Sequence, residues 1–159
     1  MKTIDYCGTV HWQHHSNTLP MICGIGDGKF GTLITFLGDF VSDRAMSEMD
    51  AALEKLETDA EEVALGYNYS IVYFDRVHEL SRLRNVAELV FNYSREMFFI
   101  MDIAEFVSVT RQLNAVYRSQ EPVPISVTLY DAPETCRRPG SLFDLEEGDP
   151  EDALLHGED

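Results

Sequence analysis

The sequence lacks any run of 18 apolar residues, so it contains no candidate for a transmembrane helix. Residues 1–7 include a lysine and an aspartate, and they lack the long apolar stretch of a signal peptide. Only three cysteines occur among 159 residues, which excludes a disulfide scaffold and favours reduced thiols. From these absences we expect a cytoplasmic protein with no membrane-spanning segment.

Basic residues are also scarce. Lys and Arg number 12 against 28 Asp and Glu, which gives a formal net charge of −16 at pH 7. A charge of this sign repels phosphate backbones, so direct binding of DNA or RNA is disfavoured. Hydrophobic residues still make up 45% of the chain, and at this length they are enough for one domain with its own core.

Familiar catalytic motifs are missing as well, and the chain has no Gly-x-Ser-x-Gly. The glycine-rich residues 24–31 would need a helix after them to cradle a phosphate, and we expect a strand there instead. His78 stands next to Glu79 and could act as a general base, but a single histidine of this kind is more often a surface or core residue. The sequence therefore gives no positive sign of an enzyme.

The pattern of apolar residues predicts an α+β fold, with a mainly antiparallel sheet and two amphipathic helices packed on it. Strands are predicted at residues 3–12, 20–26, 67–74, 87–93, 96–101 and 125–130. Asp27-Gly28 predicts a hairpin turn whose return strand covers residues 30–37. Asp102 and Glu105 have the spacing of a capping box, and they predict a helix that ends near Ser119.

The other predicted helix begins after Ser42, a good N-cap residue. Its apolar stripe recurs at spacings of three and four residues: Met46, Met49, Leu53, Leu56, Ala60 and Val63. Residues 39–62 hold nine acids against two bases, and most of these acids fall on the opposite face of the helix. We therefore expect this helix to present a strongly acidic surface.

The end of the chain forms a second acidic zone. Residues 139–159 contain eight acids and neither Lys nor Arg, and prolines and glycines interrupt any periodic pattern. We expect residues 1–132 to form a single α+β domain and residues 133–159 to form an acidic, disordered tail. Residues 142–147 (LFDLEE) are a short apolar segment within this tail that could fold onto a partner's groove.

The acidic helix leads to our main functional hypothesis, an acidic protein-binding module. Proteins that act on nucleic acid present clefts lined by Lys and Arg, and an acidic domain of this size can fill such a cleft by mimicking nucleic acid. The partner would be a nuclease, a toxin or a nucleic-acid-processing complex, and the module would be an inhibitor, an immunity protein or an anti-defence protein. The predicted contact residues are Glu48, Asp50, Glu54, Glu57 and Glu61.

Two alternatives remain open. A small zinc protein or enzyme would use Cys7, His11 and Cys23, together with His14 or His15, because thiolates and imidazoles are zinc ligands. A homo-oligomeric ligand-binding domain would instead use an aromatic face of the sheet, with Tyr67, Tyr69 or Tyr93 beside arginines. The acidic module requires no cofactor.

Overall fold

The computed structural model describes residues 1–13, 21–67, 70–91 and 98–138, and its fold is α+β. The first half of the described chain contains β1 (Thr3–Gln13), β2 (Met21–Gly26), α1 (Phe30–Gly38), α2 (Asp43–Thr58) and β3 (Glu62–Tyr67). The second half contains β4 (Ser70–His78), β5 (Leu83–Phe91), β6 (Phe98–Asp102), α3 (Ile103–Ser119) and β7 (Val123–Tyr130). A short 3-10 turn, Glu134–Cys136, follows β7.

The strands form two antiparallel sheets rather than one. The first has the order β2-β1-β7, and the second has the order β3-β4-β5-β6. Pairing of β1 with β7 joins the first and last strands, and Thr3 lies opposite Tyr130. No helix among the described residues is long and apolar enough to cross a membrane.

One apolar core joins both sheets and all three helices. The rings of Phe74 on β4 and Phe106 on α3 meet edge to face, with centroids 5.3 Å apart. The ring of Phe40, which follows α1, also packs edge to face against Phe106, with centroids 5.7 Å apart. Val10 and Val127 bring the three-stranded sheet into the same fully buried cluster. Burial of this kind is the main source of stability of the fold.

The predicted return strand at residues 30–37 is wrong, because this segment is helix α1. Its buried side chains are spaced as a helix requires, and they include Phe30, Leu33, Ile34 and Leu37. The turn at Asp27-Gly28 does form, with Gly28 at φ +48°, but it leads into a helix instead of a hairpin. Short apolar runs fit a buried helix as well as a strand, so composition alone misled the prediction.

A helix after the glycine-rich residues also removes our reason for rejecting a phosphate loop there. The glycines have another use, however, because they make room for α1. A Cβ on Gly24 would lie 2.7 Å from Ile34 Cγ1, and a Cβ on Gly8 would overlap the buried ring of Phe30. The missing side chains therefore let α1 pack directly on β1 and β2.

Helix α2 begins where the sequence predicts and ends earlier. The Ser42 side chain accepts a hydrogen bond from the Ala45 N–H at 3.0 Å, as an N-cap does. The helix stops at Thr58, so Val63 belongs to β3. Val63 matched the apolar spacing of the helix in the sequence because its side chain packs against the same core, although it does so from β3.

Helix α3 spans the predicted residues, but the predicted capping box is wrong. Asp102 makes no side-chain hydrogen bond to the helix and instead accepts one from the Tyr130 hydroxyl at 2.6 Å, which raises the pKa of Tyr130 to about 12. Glu105 accepts from the Thr128 N–H at 2.8 Å. Both carboxylates therefore tie the start of α3 to β7.

The folded part extends beyond the predicted boundary at residue 132. Cys136 is 5% exposed and packs against Val86 and Ile100 of the four-stranded sheet. Residues 133–138 thus cover a face of this sheet, and Arg138 is the last residue that the structure describes. Residues 139–159, including the apolar segment 142–147, lie outside the described residues.

The packing of α1 on the glycines gives a stability prediction. Gly8→Ala would place a methyl group 2.6 Å from the Ile25 carbonyl oxygen and into the Phe30 ring, so we expect it to lower the free energy of unfolding by about 1–3 kcal/mol. Gly38→Ala is the control, because no atom lies within 4 Å of its added Cβ, and it should be neutral or stabilising by up to about 1 kcal/mol. Urea unfolding measures both, and equal stability of the two variants would contradict this account of the packing.

Candidate functional site

A cluster of charged side chains lies where the C-terminal segment crosses the four-stranded sheet. We call it the Arg138 cluster, and it consists of Glu62, Asp75, His78, Glu88 and Arg138. The side chains of Asp75, His78 and Glu88 are 3%, 1% and 0% exposed. Charged groups this deeply buried require partners, because removing an unpaired charge from water costs several kcal/mol.

Arg138 supplies the positive charge of this cluster. Its Nε donates to Glu88 Oε2 at 2.7 Å, its Nη1 lies 2.6 Å from Glu62 Oε2, and its Nη2 donates to Asp75. The backbone N–H of Arg138 donates to the other oxygen of Glu88 at 3.0 Å. The guanidinium also stacks over the ring of Tyr73, 4.2 Å from its centroid. A single arginine therefore satisfies three carboxylates from three strands.

His78 is the other side chain that forms a hydrogen bond with Glu88. Its Nε2 lies 2.7 Å from Glu88 Oε2, and its Nδ1 accepts a hydrogen bond from the Ser81 N–H at 3.1 Å. The acceptor role of Nδ1 fixes the tautomer of the neutral ring, with the proton on Nε2 and donated to Glu88. His78 is thus held by β5 and by the turn after β4, and it was the only residue of this cluster that the sequence marked for chemistry.

The two buried carboxylates shift in opposite directions. Burial raises the pKa of Asp75 to about 6, since the attraction of Arg138 does not fully offset desolvation and the nearby charge of Glu62. Burial alone would also raise the pKa of Glu88, but hydrogen bonds from His78 and Arg138 outweigh it and hold that pKa below its usual value. Glu88 is therefore the stable anion of the cluster, and Asp75 is the group that can take up a proton.

The ligand atoms of Asp75, His78 and Glu88 lie within 4.8 Å of one another, and carboxylates and imidazole can hold a divalent cation. The Arg138 guanidinium already neutralises these carboxylates, so a cation could enter only if the guanidinium left. A cavity of about 250 Å³ borders the cluster at Glu61, Val77 and Leu80. The arrangement as it stands is an ion-pair clamp that fixes the C-terminal segment to the sheet.

The acids predicted as a single contact surface separate into two groups. Glu48 is half-buried on the flank of α2, where it accepts hydrogen bonds from the Arg44 side chain and the Tyr67 hydroxyl. Asp50 is exposed, and its carboxylate lies 3.6 Å from Arg111 of α3. These two acids are already paired within the chain, so they are weaker candidates for contact with a partner.

The remaining predicted acids gather at the C-terminal end of α2. We call this surface the acidic end, and it consists of Glu54, Glu57, Asp59 and Glu61. All four are exposed, and within the described part of the chain none forms an ion pair with a basic side chain. Asp59 was not predicted as a contact residue. It belongs to this surface because the helix ends at Thr58 and Asp59 is its C-cap residue.

An open cleft of about 590 Å³ lies beside the acidic end. Leu53 and Leu56 of α2 and Ile103 of α3 give it apolar walls, and the arginines Arg76 and Arg84 of the four-stranded sheet are among its polar lining residues. In the described structure neither arginine side chain has a hydrogen-bond or ion-pair partner. The sequence showed these bases as a cluster, but it did not show that they share a cleft.

The predicted zinc ligands are only partly brought together. His11 on β1 lies directly opposite Cys23 on β2, so these two side chains share a face of the first sheet. Cys7 is four residues from His11 along the same strand, a distance of about 13 Å that is too long for both to bind one zinc ion directly. His14 and His15 lie outside the described residues, as do Tyr69 and Tyr93, so zinc binding and an aromatic interface stay predictions.

No protein-family model, curated protein or solved structure matches this chain.

The clamp predicts a large effect at Arg138. Arg138→Met keeps much of the side-chain length and removes the charge, which leaves Asp75 and Glu88 buried without a counter-ion. We expect the free energy of unfolding to fall by about 3–5 kcal/mol at pH 7. Arg118→Met is the control, because it breaks only the exposed pair with Asp43 and should cost about 1 kcal/mol or less. Comparable losses in urea unfolding of the two variants would show that Arg138 is no clamp.

The raised pKa of Asp75 predicts a pH dependence of stability. The pKa of the native carboxyl is about 6, against 3.8 for an unperturbed aspartate, so its stabilising contribution is complete below pH 3.8 and is lost as the pH rises through 6. Relative to Asp75→Asn, the wild-type protein should therefore lose about 3 kcal/mol between pH 3.5 and pH 7.5. Urea unfolding across this range measures the difference.

Glu88→Gln is the companion variant for that measurement. The pKa of Glu88 is lowered in the fold, so its contribution is present above the unfolded pKa and is lost as the pH falls through the folded value. The difference between wild type and Glu88→Gln should therefore have the opposite slope, with the wild type losing its advantage in acid. If the stability difference from wild type changed with pH in the same direction for both variants, the pKa values of Asp75 and Glu88 would not be shifted in opposite directions.

Proposed function

We propose that this protein is an acidic protein-binding module that docks on a basic, nucleic-acid-acting partner and blocks it, in the manner of an inhibitor, an immunity protein or an anti-defence protein. The observation that carries the proposal is the acidic end, with four exposed carboxylates that no base of the described chain neutralises. Such a surface attracts Lys- and Arg-lined clefts over long range and accelerates encounter with them.

The energetics of α2 support a role in binding. A carboxylate in the last turn of a helix faces the negative end of the helix dipole, which costs about 0.3–1 kcal/mol per charge. Glu57 lies in this last turn, and Asp59 is the C-cap residue. Neither charge stabilises the helix that carries it, so their presence is better explained by an interaction outside the chain.

The spacing of these charges also fits a site built for a phosphate backbone. Glu54 and Glu57 are three residues apart, which places them about 4.5 Å apart along the helix axis. One strand of DNA carries a charge about every 3.4 Å along its axis. Glu54 and Glu57 therefore carry negative charges at a spacing comparable to, and somewhat wider than, that of the phosphates on one DNA strand.

The first step of the test is to find the partner by affinity capture from the source cell with the full chain, at low and then at high salt. A nuclease, a toxin or a nucleic-acid-processing complex that is retained only at low salt is the expected result. The captured protein must then lose its activity on nucleic acid when the purified chain is added. Retention of no basic protein at low salt would count against the proposal.

The decisive variant is Glu54→Lys/Glu57→Lys, which reverses two charges of the acidic end. We expect the association rate with the partner to fall about tenfold or more at low salt, with a smaller difference at high salt, because screening weakens electrostatic steering. The matched control is Asp27→Lys/Glu121→Lys, which makes the same change in net charge next to β2 and β7 of the other sheet. Equal slowing by both pairs would mean that only net charge matters and that the acidic end is not the interface.

A further inference from the structure

The cleft beside the acidic end has the composition of a ligand site. Its volume of about 590 Å³ falls within the range of about 300–1,000 Å³ that is usual for small-molecule pockets. Such pockets combine mostly apolar walls with a few convergent polar groups. The apolar wall here consists of Leu53, Leu56, Ile103 and Ala104, and the polar lining consists of Arg76, Arg84, Asn85, Glu57 and Asp102.

The free state of these two arginines is unexpected in a chain with 28 acids and 12 bases. The guanidiniums of Arg44, Arg111, Arg118 and Arg138 all pair with carboxylates. Two carboxylates, Glu57 and Asp102, line the same cleft as Arg76 and Arg84, yet neither is within ion-pair distance of them in the described structure. Asp102 is held by the Tyr130 hydroxyl, so its position is fixed by another bond.

The backbone of β5 is distorted at this point. The register pairs Asp75 with Val86 and Val77 with Arg84, and between them Asn85 has a left-handed conformation with φ of 53°. This conformation is uncommon outside glycine, and asparagine is among the residues that tolerate it best. Both Arg84 and Asn85 line the cleft, so the distortion lies within its wall.

We infer that this cleft binds a small organic anion, whose oxyanion group contacts Arg76 and Arg84 and whose apolar body packs on Leu53, Leu56 and Ile103. Guanidinium groups recognise carboxylate and phosphate oxygens through paired, charge-assisted hydrogen bonds, so either kind of oxyanion suits the pair of arginines. The ligand has an apolar part because four of the lining side chains are aliphatic. Nucleic acid is not the ligand, since the acidic end repels a polyanion and its Glu57 lies in the wall of the cleft.

The test uses the full chain labelled with ¹⁵N and four probes: phenyl phosphate, phenylacetate, inorganic phosphate and benzyl alcohol. We expect saturable amide shifts at cleft residues with phenyl phosphate or phenylacetate, and binding at least tenfold weaker with inorganic phosphate or the neutral alcohol. Comparison of the two aromatic anions decides between a phosphate and a carboxylate ligand. Equally tight binding of benzyl alcohol would overturn the anionic assignment. The absence of saturable binding of either aromatic anion up to about 10 mM would overturn the site.

Variants separate the two arginines from a general effect of charge. Arg76→Gln and Arg84→Gln should each weaken binding of the aromatic anion about tenfold or more, because each removes charge-assisted hydrogen bonds. Arg82→Gln is the matched control, since Arg82 is exposed next to β5 and does not line the cleft. Glu57→Gln should tighten binding by removing a like charge. Equal weakening by Arg82→Gln would assign the effect to net charge and refute the site.

This inference stands apart from the proposed partner. Arg76 and Arg84 are not part of the acidic end, and the probes are small molecules that require no partner protein. Loss of anion binding in Arg76→Gln with unchanged partner association would separate the two sites. Failure of the acidic end to bind a partner would leave the anion titration unaffected.

Discussion

Pairing of Arg138 with the buried carboxylates of Asp75 and Glu88 is the constraint on which the arrangement of the four-stranded sheet depends. Two anions with almost no solvent exposure on one face of the sheet must be neutralised. Only the C-terminal segment brings a permanent cation to them in the described structure, and it must cross the sheet to do so. That crossing also places Cys136 over Val86 and Ile100 and so closes an apolar surface that the helices do not reach.

The same scarcity of bases shapes the surface. Arg111 and Arg118 of α3 pair with Asp50 and Asp43 along α2, and Arg44 pairs with Glu48, so the first three turns of α2 are largely compensated. The acids toward the end of the helix have no such neighbours. The acidic end therefore results from where α3 places its two arginines as much as from the number of acids in α2.

Much of the fold could be predicted from the sequence, because α2, α3 and most strands carry a periodic pattern over many residues. The errors fall where a contact distant in sequence decides the local structure. By composition residues 30–38 fit a buried strand or a helix, and the room that glycines on β1 and β2 leave for a helix is apparent only in the fold. Asp102 and Glu105 have a capping spacing, yet β7 offers them better-placed donors in Tyr130 and Thr128.

The candidate sites were less predictable for the same reason. Glu88 is an acid inside an apolar strand, which signals that a partner must exist, but that partner is 50 residues away in a segment whose composition suggested disorder. Arg76 and Arg84 show the converse. Neither side chain is paired although Glu57 and Asp102 line the same cleft, and the Tyr130 hydroxyl holds Asp102 instead. The positions of the unpaired bases are thus set by tertiary contacts, and in an acidic protein they are more informative about ligand chemistry than the acids themselves.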